Sequence, residues 1–204
     1  MEERQAERKD QRRQHIVATA RDAFFETGYG GTTMSAIAAR LGGSKTTLWT
    51  YFRNKNDLFS AVVDDLVDQY GAALRLPLPD DGLVRQVLTT FGQSLMATIF
   101  QPEIVALHRL VAGEAARFPE LGVLLYERGP RRGHQRIGDW LAGQMDRGHL
   151  RSADPVMAAR HFIGLCQSGR FQQVLIGAAD LPAQDEVWAE VDLAVEIFIR
   201  AYAP

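Results

Sequence analysis

Two short helical patterns lie close together between Thr32 and Ser60, and a double glycine separates them. The first begins after Thr33, a candidate N-cap, and repeats apolar residues at helical spacing as far as Leu41. Gly42-Gly43 then ends it, because glycine adopts the left-handed conformation that a helix C-terminus needs. Two helices of about two turns each, joined by a glycine-containing turn, form a helix-turn-helix. The start of the chain is therefore predicted to be a small helical domain.

The second helix of this pair is expected to begin after a capping Ser44, and a third helix begins near Lys55. The outward face of the second helix carries lysine, threonine and aromatic side chains but no acid. Such side chains reach phosphates, base-edge acceptors and thymine methyls. A solvated surface helix is the alternative, but it explains exposed aromatic residues beside lysines poorly. The predicted DNA-contacting residues are Thr33, Ser35, Ser44, Lys45, Thr46, Thr47, Trp49, Tyr51 and Lys55.

The first quarter of the chain resembles the DNA-binding domain of the TetR/AcrR family of transcriptional regulators. The matching positions are Gly28-Tyr29, Thr32-Thr33, Ile37-Ala38, Leu41-Gly42, Ser44, Thr47-Leu48, Tyr51-Phe52, Lys55 and Leu58-Phe59. Gly43 and Trp49 depart from the pattern, since the family commonly has a small β-branched residue and a tyrosine there. A looser similarity, around Gly113-Glu114, residues 117–121 and residues 148–150, is to the AefR-like type of C-terminal domain. The resemblance implies a regulator that binds double-stranded DNA.

The remaining chain also has helical periodicity, and no strand pattern is persuasive. We predict an all-α fold of about nine helices, with a helix-turn-helix domain over residues 1–60 and an effector-binding and dimerisation domain over residues 61–204. Residues 1–10 lack an apolar face and are interpreted as an arm that is either disordered or extends into a helix. Gly129-Pro130 is expected to kink or divide one long helical pattern. The boundary near Ser60 falls inside a helix shared by both domains, which can act as a lever.

The last two helical patterns, Asp154–Gly177 and Gln184–Tyr202, are apolar over more of their circumference than a monomer surface allows. They predict a homodimer through a four-helix bundle, against the alternative of one helix buried in a large core. The family resemblance implies the same dimer, and an effector held between the helices that follow the lever helix. Arg109 or Glu114 would anchor its polar group, and plain core packing is the alternative for each apolar candidate. The predicted ligand-binding residues are Phe91, Leu95, Ile99, Leu107, His108, Leu110, Trp140 and Phe162.

Charge and composition restrict the possible functions further. The net charge is −2, yet residues 1–60 carry +3 and the remainder −5, which suits a DNA-binding end joined to an acidic body. The single cysteine, Cys166, excludes an internal disulfide and fits a reducing cytoplasm, and no apolar run approaches the roughly 18 residues of a membrane span. Nucleophile motifs, phosphate-binding loops and metal-ligand spacings are missing. We therefore predict no enzyme, no metal and no cofactor.

These features predict a dimeric transcriptional repressor that a small apolar or amphipathic effector releases from a near-palindromic operator. Its location would be the cytoplasm, with association to the nucleoid when DNA is bound. The alternative from another class is a helical dimer that binds a small molecule or a protein partner and has a vestigial DNA-binding domain. The outward lysine, threonine and aromatic surface argues against that alternative.

Overall fold

The computed structural model describes residues 1–42 and 45–204, with the side chains of residues 2, 3 and 45–47 left outside the description. Within these ranges every regular element is helical, so the predicted all-α class is confirmed. A short 3-10 helix, Ala72–Leu74, follows α4. The α-helices are α1 (Glu2–Gly31), α2 (Met34–Arg40), α3 (Lys45–Tyr51), α4 (Lys55–Tyr70), α5 (Val84–Ile99), α6 (Pro102–Glu114), α7 (Pro119–Arg128), α8 (Pro130–Asp146), α9 (Pro155–Gln167), α10 (Phe171–Leu175) and α11 (Gln184–Tyr202).

The N-terminal residues are helical, so of the two alternatives for residues 1–10, a disordered arm or an extension into a helix, the structure has the helix. Helix α1 begins at Glu2 and continues to a break at Gly28, whose backbone lies in the left-handed region with φ 73°. Residues 2–14 lack an apolar face but consist largely of glutamate, glutamine, arginine and lysine, which have high helix propensity. Propensity together with continuity from the packed part of α1 therefore accounts for the longer helix. Farther along, Ile16, Ala20 and Phe24 recur at four-residue spacing and are buried.

The chain divides into two compact units. The first consists of Met1–Asp68 and Leu110–Leu125, and the second consists of Gln69–Arg109 and Tyr126–Pro204. The expected boundary near Ser60 therefore falls within the first unit, and a later segment, the end of α6 and most of α7, joins that unit. Helix α6 contributes to both units: its residues as far as Arg109 belong to the second unit, and those from Leu110 onward belong to the first.

A single apolar core holds the second unit together, and α5, α8, α9 and α11 contribute to it. Aromatic rings form a chain through this core: the ring centroid of Phe162 lies 6.3 Å from Phe91 and 5.4 Å from Phe198. Phe198 in turn stacks on Tyr202 at 4.5 Å. Burying one such phenylalanine contributes about 1.5–3 kcal/mol, so these rings are a principal source of stability. The predicted division at Gly129-Pro130 is also present, since α7 ends at Arg128 and α8 starts at Pro130.

Helix α8 fixes the proline-containing loop that precedes α5. The indole Nε1 of Trp140 donates to the carbonyl of Pro79 at 3.0 Å, and Nε2 of the buried Gln144 donates to the carbonyl of Asp80 at 3.2 Å. One turn later, the Arg147 guanidinium contacts the Asp80 carboxylate at 3.2 Å. Trp140 and Gln144 thus satisfy two backbone carbonyls that no secondary structure pairs, whereas Arg147 binds a side chain.

Within the described ranges, no single helix is both long and apolar enough to cross a membrane, and α5 with α6 meets those criteria only as a pair bent by 68°.

Candidate nucleic-acid interface

Helix α2 forms the first half of the predicted helix-turn-helix. The Thr33 hydroxyl accepts a hydrogen bond from the backbone N–H of Ala36 at 3.1 Å, so the predicted N-cap is confirmed. Ile37 and Ala38 are buried, which leaves Ser35 on the exposed side of the helix. The helix ends at Arg40, and Gly42 follows with φ 62°, the left-handed conformation expected of the glycine turn.

Helix α3 has a buried side and an exposed aromatic side. Leu48 is buried within the helix and Phe52 directly after it, whereas Trp49 is 41% exposed and Tyr51 is half-buried. Tryptophans usually bury most of their surface, so the exposure of Trp49 on this seven-residue helix is unusual. Its ring is therefore available to a partner. Two sets of predicted DNA contacts lie outside the described residues: Ser44, and the side chains of Lys45, Thr46 and Thr47.

The start of α4 is fixed by a second cap. The Asn54 side-chain oxygen accepts from the backbone N–H of Asp57 at 2.8 Å, which gives the helix start that the sequence predicted. Lys55, the first residue of this helix, was expected to hold the DNA backbone. Its ammonium instead donates to the carbonyls of Tyr29 at 2.7 Å and Thr32 at 3.0 Å. The structure thus gives Lys55 internal partners that the sequence pattern did not indicate.

The predicted ligand-binding residues do not form one group. Phe91, Ile99, Trp140 and Phe162 are members of the buried core of the second unit, and Leu95 packs against it. Leu107 is buried as well. Leu110, however, belongs to the first unit.

His108 has an environment of its own in the second unit. Its Nδ1–H donates to the carbonyl of Ile104 at 2.8 Å, and its ring lies edge-to-face on Phe171 with the centroids 6.0 Å apart. Burial lowers the pKa of this imidazole, and the hydrogen bond to Ile104 only partly opposes the shift. Neutral His108 therefore presents Nε2 as a hydrogen-bond acceptor.

Both expected polar anchors, Arg109 and Glu114, bind backbone groups of this chain. The guanidinium of Arg109 donates from Nε to the carbonyl of Leu175 at 3.0 Å and from a terminal nitrogen to that of Val174 at 2.5 Å. These carbonyls end α10, so Arg109 caps that short helix and stabilises its C-terminus. Glu114 lies in the first unit, where its carboxylate accepts from a backbone N–H of α1. Both side chains have structural partners at long sequence separation.

An open groove of about 430 Å³ lies along α9 and α11, and the sequence reasoning did not single it out. None of the predicted ligand-binding residues lines it. His161 and Tyr202 lie on its wall and are hydrogen-bonded at 2.7 Å through Nδ1 and the phenol oxygen. On α11 the groove is lined by Phe198, Ala201 and Tyr202, within the helical pattern that the sequence analysis assigns to the dimer.

Chemical reactivity is low in the part of the chain that the structure describes. Groups of three or more histidine, cysteine or acidic residues suited to a metal ion are not found among the described residues. Cys166 is buried, and burial raises the pKa of its thiol to about 12. The thiol therefore stays protonated and inert at neutral pH.

Two family models match this chain in the regions just described. The model of bacterial regulatory proteins of the tetR family matches residues 16–62, which contain the helix-turn-helix. The C-terminal domain of AefR-like transcriptional repressors matches residues 86–204, more than half of the chain. The chain belongs to the TetR family. Both the family and the AefR-like type of its C-terminal domain were predicted from the residues, and both are confirmed. As predicted too, the proteins of this family that it resembles are transcriptional regulators and not enzymes.

Two solved structures resemble nearly the whole chain. A transcriptional regulator from Mesorhizobium loti is 27% identical, with a TM-score of 0.81, and the match covers 97% of this chain and 99% of that one. The flavonoid-responsive regulator FrrA is 28% identical, with a TM-score of 0.82 and coverage of 96% and 98%. The transcriptional activator FasR of Mycolicibacterium smegmatis is 33% identical over 87 residues, 41% of this chain. That stretch spans only 40% of FasR.

Proposed function

We propose that this TetR-family protein is a dimeric repressor that a small apolar or amphipathic effector releases from a near-palindromic operator. The observation that carries the proposal is the capped helix-turn-helix with Trp49 exposed on its second helix. A lone helix of this length reads too few base pairs for a specific site. Two copies related by a two-fold axis would place their recognition helices about 34 Å apart, one turn of DNA.

The DNA contacts divide into base readers and backbone contacts. Lys45, Thr46 and Thr47, at the start of α3, would meet base edges, and Ser35 would reach an adjacent base. Thr33, Trp49 and Tyr51 would hold the phosphate backbone, together with Ser44. The test is an affinity measurement on an operator enriched from random duplex DNA.

Lys45→Ala is expected to weaken binding to the operator more than to unrelated DNA, because it removes a base contact. Tyr51→Phe is expected to weaken binding to all sequences similarly, because a phosphate contact carries no sequence information. Unchanged operator affinity in Lys45→Ala would remove that residue from the readers. A loss in Tyr51→Phe confined to particular base pairs would place Tyr51 among them.

Dimerisation is assigned to α9 and α11. The outward stripe of α11 includes Leu193, 58% exposed, and Ile197, 43% exposed, with the small Ala201 one turn on. Exposed Met157 and Gly164 lie on α9, and the groove of about 430 Å³ runs between the two helices. Contiguous apolar surface of this kind, with small residues that permit close approach, is typical of a helical interface.

Leu193→Asp is expected to convert the dimer to a monomer, because it would bury a carboxylate at the two-fold interface. The matched control is Ile176→Asp, since Ile176 is 72% exposed but lies after α10, off this stripe. Sedimentation at micromolar concentration should give a monomer for the first variant and a dimer for the control. A dimer for both would assign the interface to another surface.

The effector is proposed to bind in the second unit beside His108, whose ring lies on Phe171. The acceptor Nε2 of neutral His108 would recognise a hydroxyl or amide donor on an apolar scaffold. A flavonoid is the first probe because the similar regulator FrrA is flavonoid-responsive. To shift operator occupancy from nearly full to nearly empty, an effector must favour the released state by about 5.5 kcal/mol.

The competing function is a ligand-binding or partner-binding dimer that no longer reads DNA. A steep fall of DNA affinity with salt, together with preference for one sequence, would reject it.

The direction of control is tested separately, since the relative FasR is an activator. A reporter whose output falls when this protein is supplied supports repression. For a protein that binds chromosomal operators, a cytoplasmic location with association to the nucleoid follows.

A further inference from the structure

The segment Leu110–Leu125 packs within the first unit against the end of α1. One carboxylate oxygen of Glu114 accepts a hydrogen bond from the backbone N–H of Gly30 at 2.8 Å. The ring of Phe118 lies edge-to-face on Tyr29, with the centroids 5.0 Å apart. A segment 84 residues away in sequence therefore holds the last turn of α1, immediately before the helix-turn-helix.

Two glycines shape the place where Glu114 binds. A Cβ added at Gly28 would lie 2.8 Å from Oε1 of Glu114, and one added at Gly30 would lie 3.1 Å from Oε2. The same atom at Gly30 would be 3.3 Å from the Phe118 ring. Gly28 also needs its positive φ of 73°. The close approach of the carboxylate to the backbone thus depends on both positions having no side chain.

Lys55 reaches the same place from the start of α4. Besides its hydrogen bonds to the carbonyls of Tyr29 and Thr32, its ammonium lies 4.2 Å from the centroid of the Tyr29 ring and 5.6 Å from that of Phe118. Burial lowers the pKa of Lys55, the nearby charge of Glu114 opposes that shift, and the positive charge of Arg117 adds to it. Two carbonyls and an aromatic face therefore surround the cation, and Glu114 supplies the opposite charge.

We propose that Lys55 and Glu114 together form an internal latch that positions the helix-turn-helix, with Lys55 acting as a positioning residue instead of a phosphate contact. The latch joins the end of α1, the start of α4 and the end of α6. Since α6 is continuous from Pro102 to Glu114, a shift of that helix would reach Gly30 directly. The consequence for DNA rests on the proposed function, whereas the latch itself does not.

The first experiment measures the latch without DNA, as the hydrogen-exchange rate of the Gly30 amide in the full-length protein. Glu114→Ala should raise that rate at least tenfold, because the amide loses its acceptor. Glu114→Gln keeps an acceptor oxygen and should preserve most of the protection, which separates loss of the bond from misfolding. Glu120→Ala is the matched control, since it removes an exposed acid from the same segment. Equal exchange in all variants would overturn the latch.

The second experiment measures operator affinity as a function of salt. A phosphate contact contributes about 0.9 to the slope of log affinity against log salt, so its loss lowers the slope by that amount. As a positioning residue, Lys55 should leave the slope unchanged in Lys55→Met while the affinity falls. Glu114→Ala should also lower operator affinity, although removing an acid from a DNA-binding surface favours binding electrostatically. Glu120→Ala should not lower it.

The outcomes separate the two proposals. A slope reduced by about 0.9 in Lys55→Met, with Glu114→Ala binding as tightly as wild type, would restore Lys55 as a phosphate contact and overturn the latch. Absence of any operator for the wild-type protein would overturn the proposed function. In that case the hydrogen-exchange rate of the Gly30 amide would still test whether the latch exists.

Discussion

Helices α5 and α11 approach closely at Gly92, so Gly92→Ala is expected to destabilise the second unit. A Cβ added there would lie 2.8 Å from a methyl of Val191 and 3.4 Å from both Cys166 and Phe162. Ordinary contact begins at 3.4 Å, so Val191 would have to retreat by about 0.6 Å within a buried core. Overpacking of this kind costs about 1–3 kcal/mol, and the better helix propensity of alanine returns about 0.5–1 kcal/mol.

The expected net loss is about 0–2.5 kcal/mol, and a loss of about 1 kcal/mol lowers the melting temperature of a chain of this size by about 2–4 °C. Thermal unfolding followed by circular dichroism measures it. Gly122→Ala is the matched control, because Gly122 lies inside α7 and a Cβ there has no neighbour within 4 Å. That variant should gain about 0.5–1 kcal/mol from helix propensity alone.

Gly92→Ala is therefore expected to lower the free energy of unfolding, and Gly122→Ala is expected to raise it. Adding Val191→Ala to Gly92→Ala should restore space, so the double variant should be more stable than the sum of the two single losses. If Gly92→Ala stabilises the protein as much as Gly122→Ala does, the close contact between α5 and α11 is refuted.

Three further predictions concern single side chains. Asn54→Ala removes the cap of α4 and should cost about 1 kcal/mol, measured by urea unfolding. Cys166, whose burial raises its pKa to about 12, should react with a disulfide reagent at pH 8 only after denaturation. The pKa of His108 is lower in the folded chain than in the unfolded one, so the unfolded chain binds a proton more readily. The free energy of unfolding should therefore decrease as the pH is lowered through about 6.5. His108→Gln should flatten that dependence of the unfolding midpoint on pH, and an unchanged dependence would show that other groups cause it.

Local features of the fold were predictable because they depend on residues close in sequence. The bounds of α11, Gln184–Tyr202, coincide with the predicted pattern, and Gly129-Pro130 divides α7 from α8. Caps at Thr33 and Asn54 follow from spacing of three residues. The extension of α1 to Glu2 is left open by the sequence, because the residues there have helix propensity without an apolar stripe.

The functional site was predictable only in part, since several of its contacts join distant segments. Nothing in the pattern around Lys55 indicates that its ammonium binds carbonyls near the end of α1. Likewise, Arg109 was interpreted as a ligand anchor but caps α10, 65 or more residues away. The partners of long polar side chains depend on how the helices pack, and sequence periodicity contains no information about those partners.

The central claim, a dimeric reader of operator DNA, is tested most directly by selecting bound sites from a random pool of duplex DNA at about 0.15 M salt. A dimeric reader should enrich a near-palindrome whose half-sites are centred about one helical turn apart. The same selection with Leu193→Asp should lose the paired half-sites. A wild-type protein that enriches no sequence, under conditions where its dimer is intact, would contradict the account.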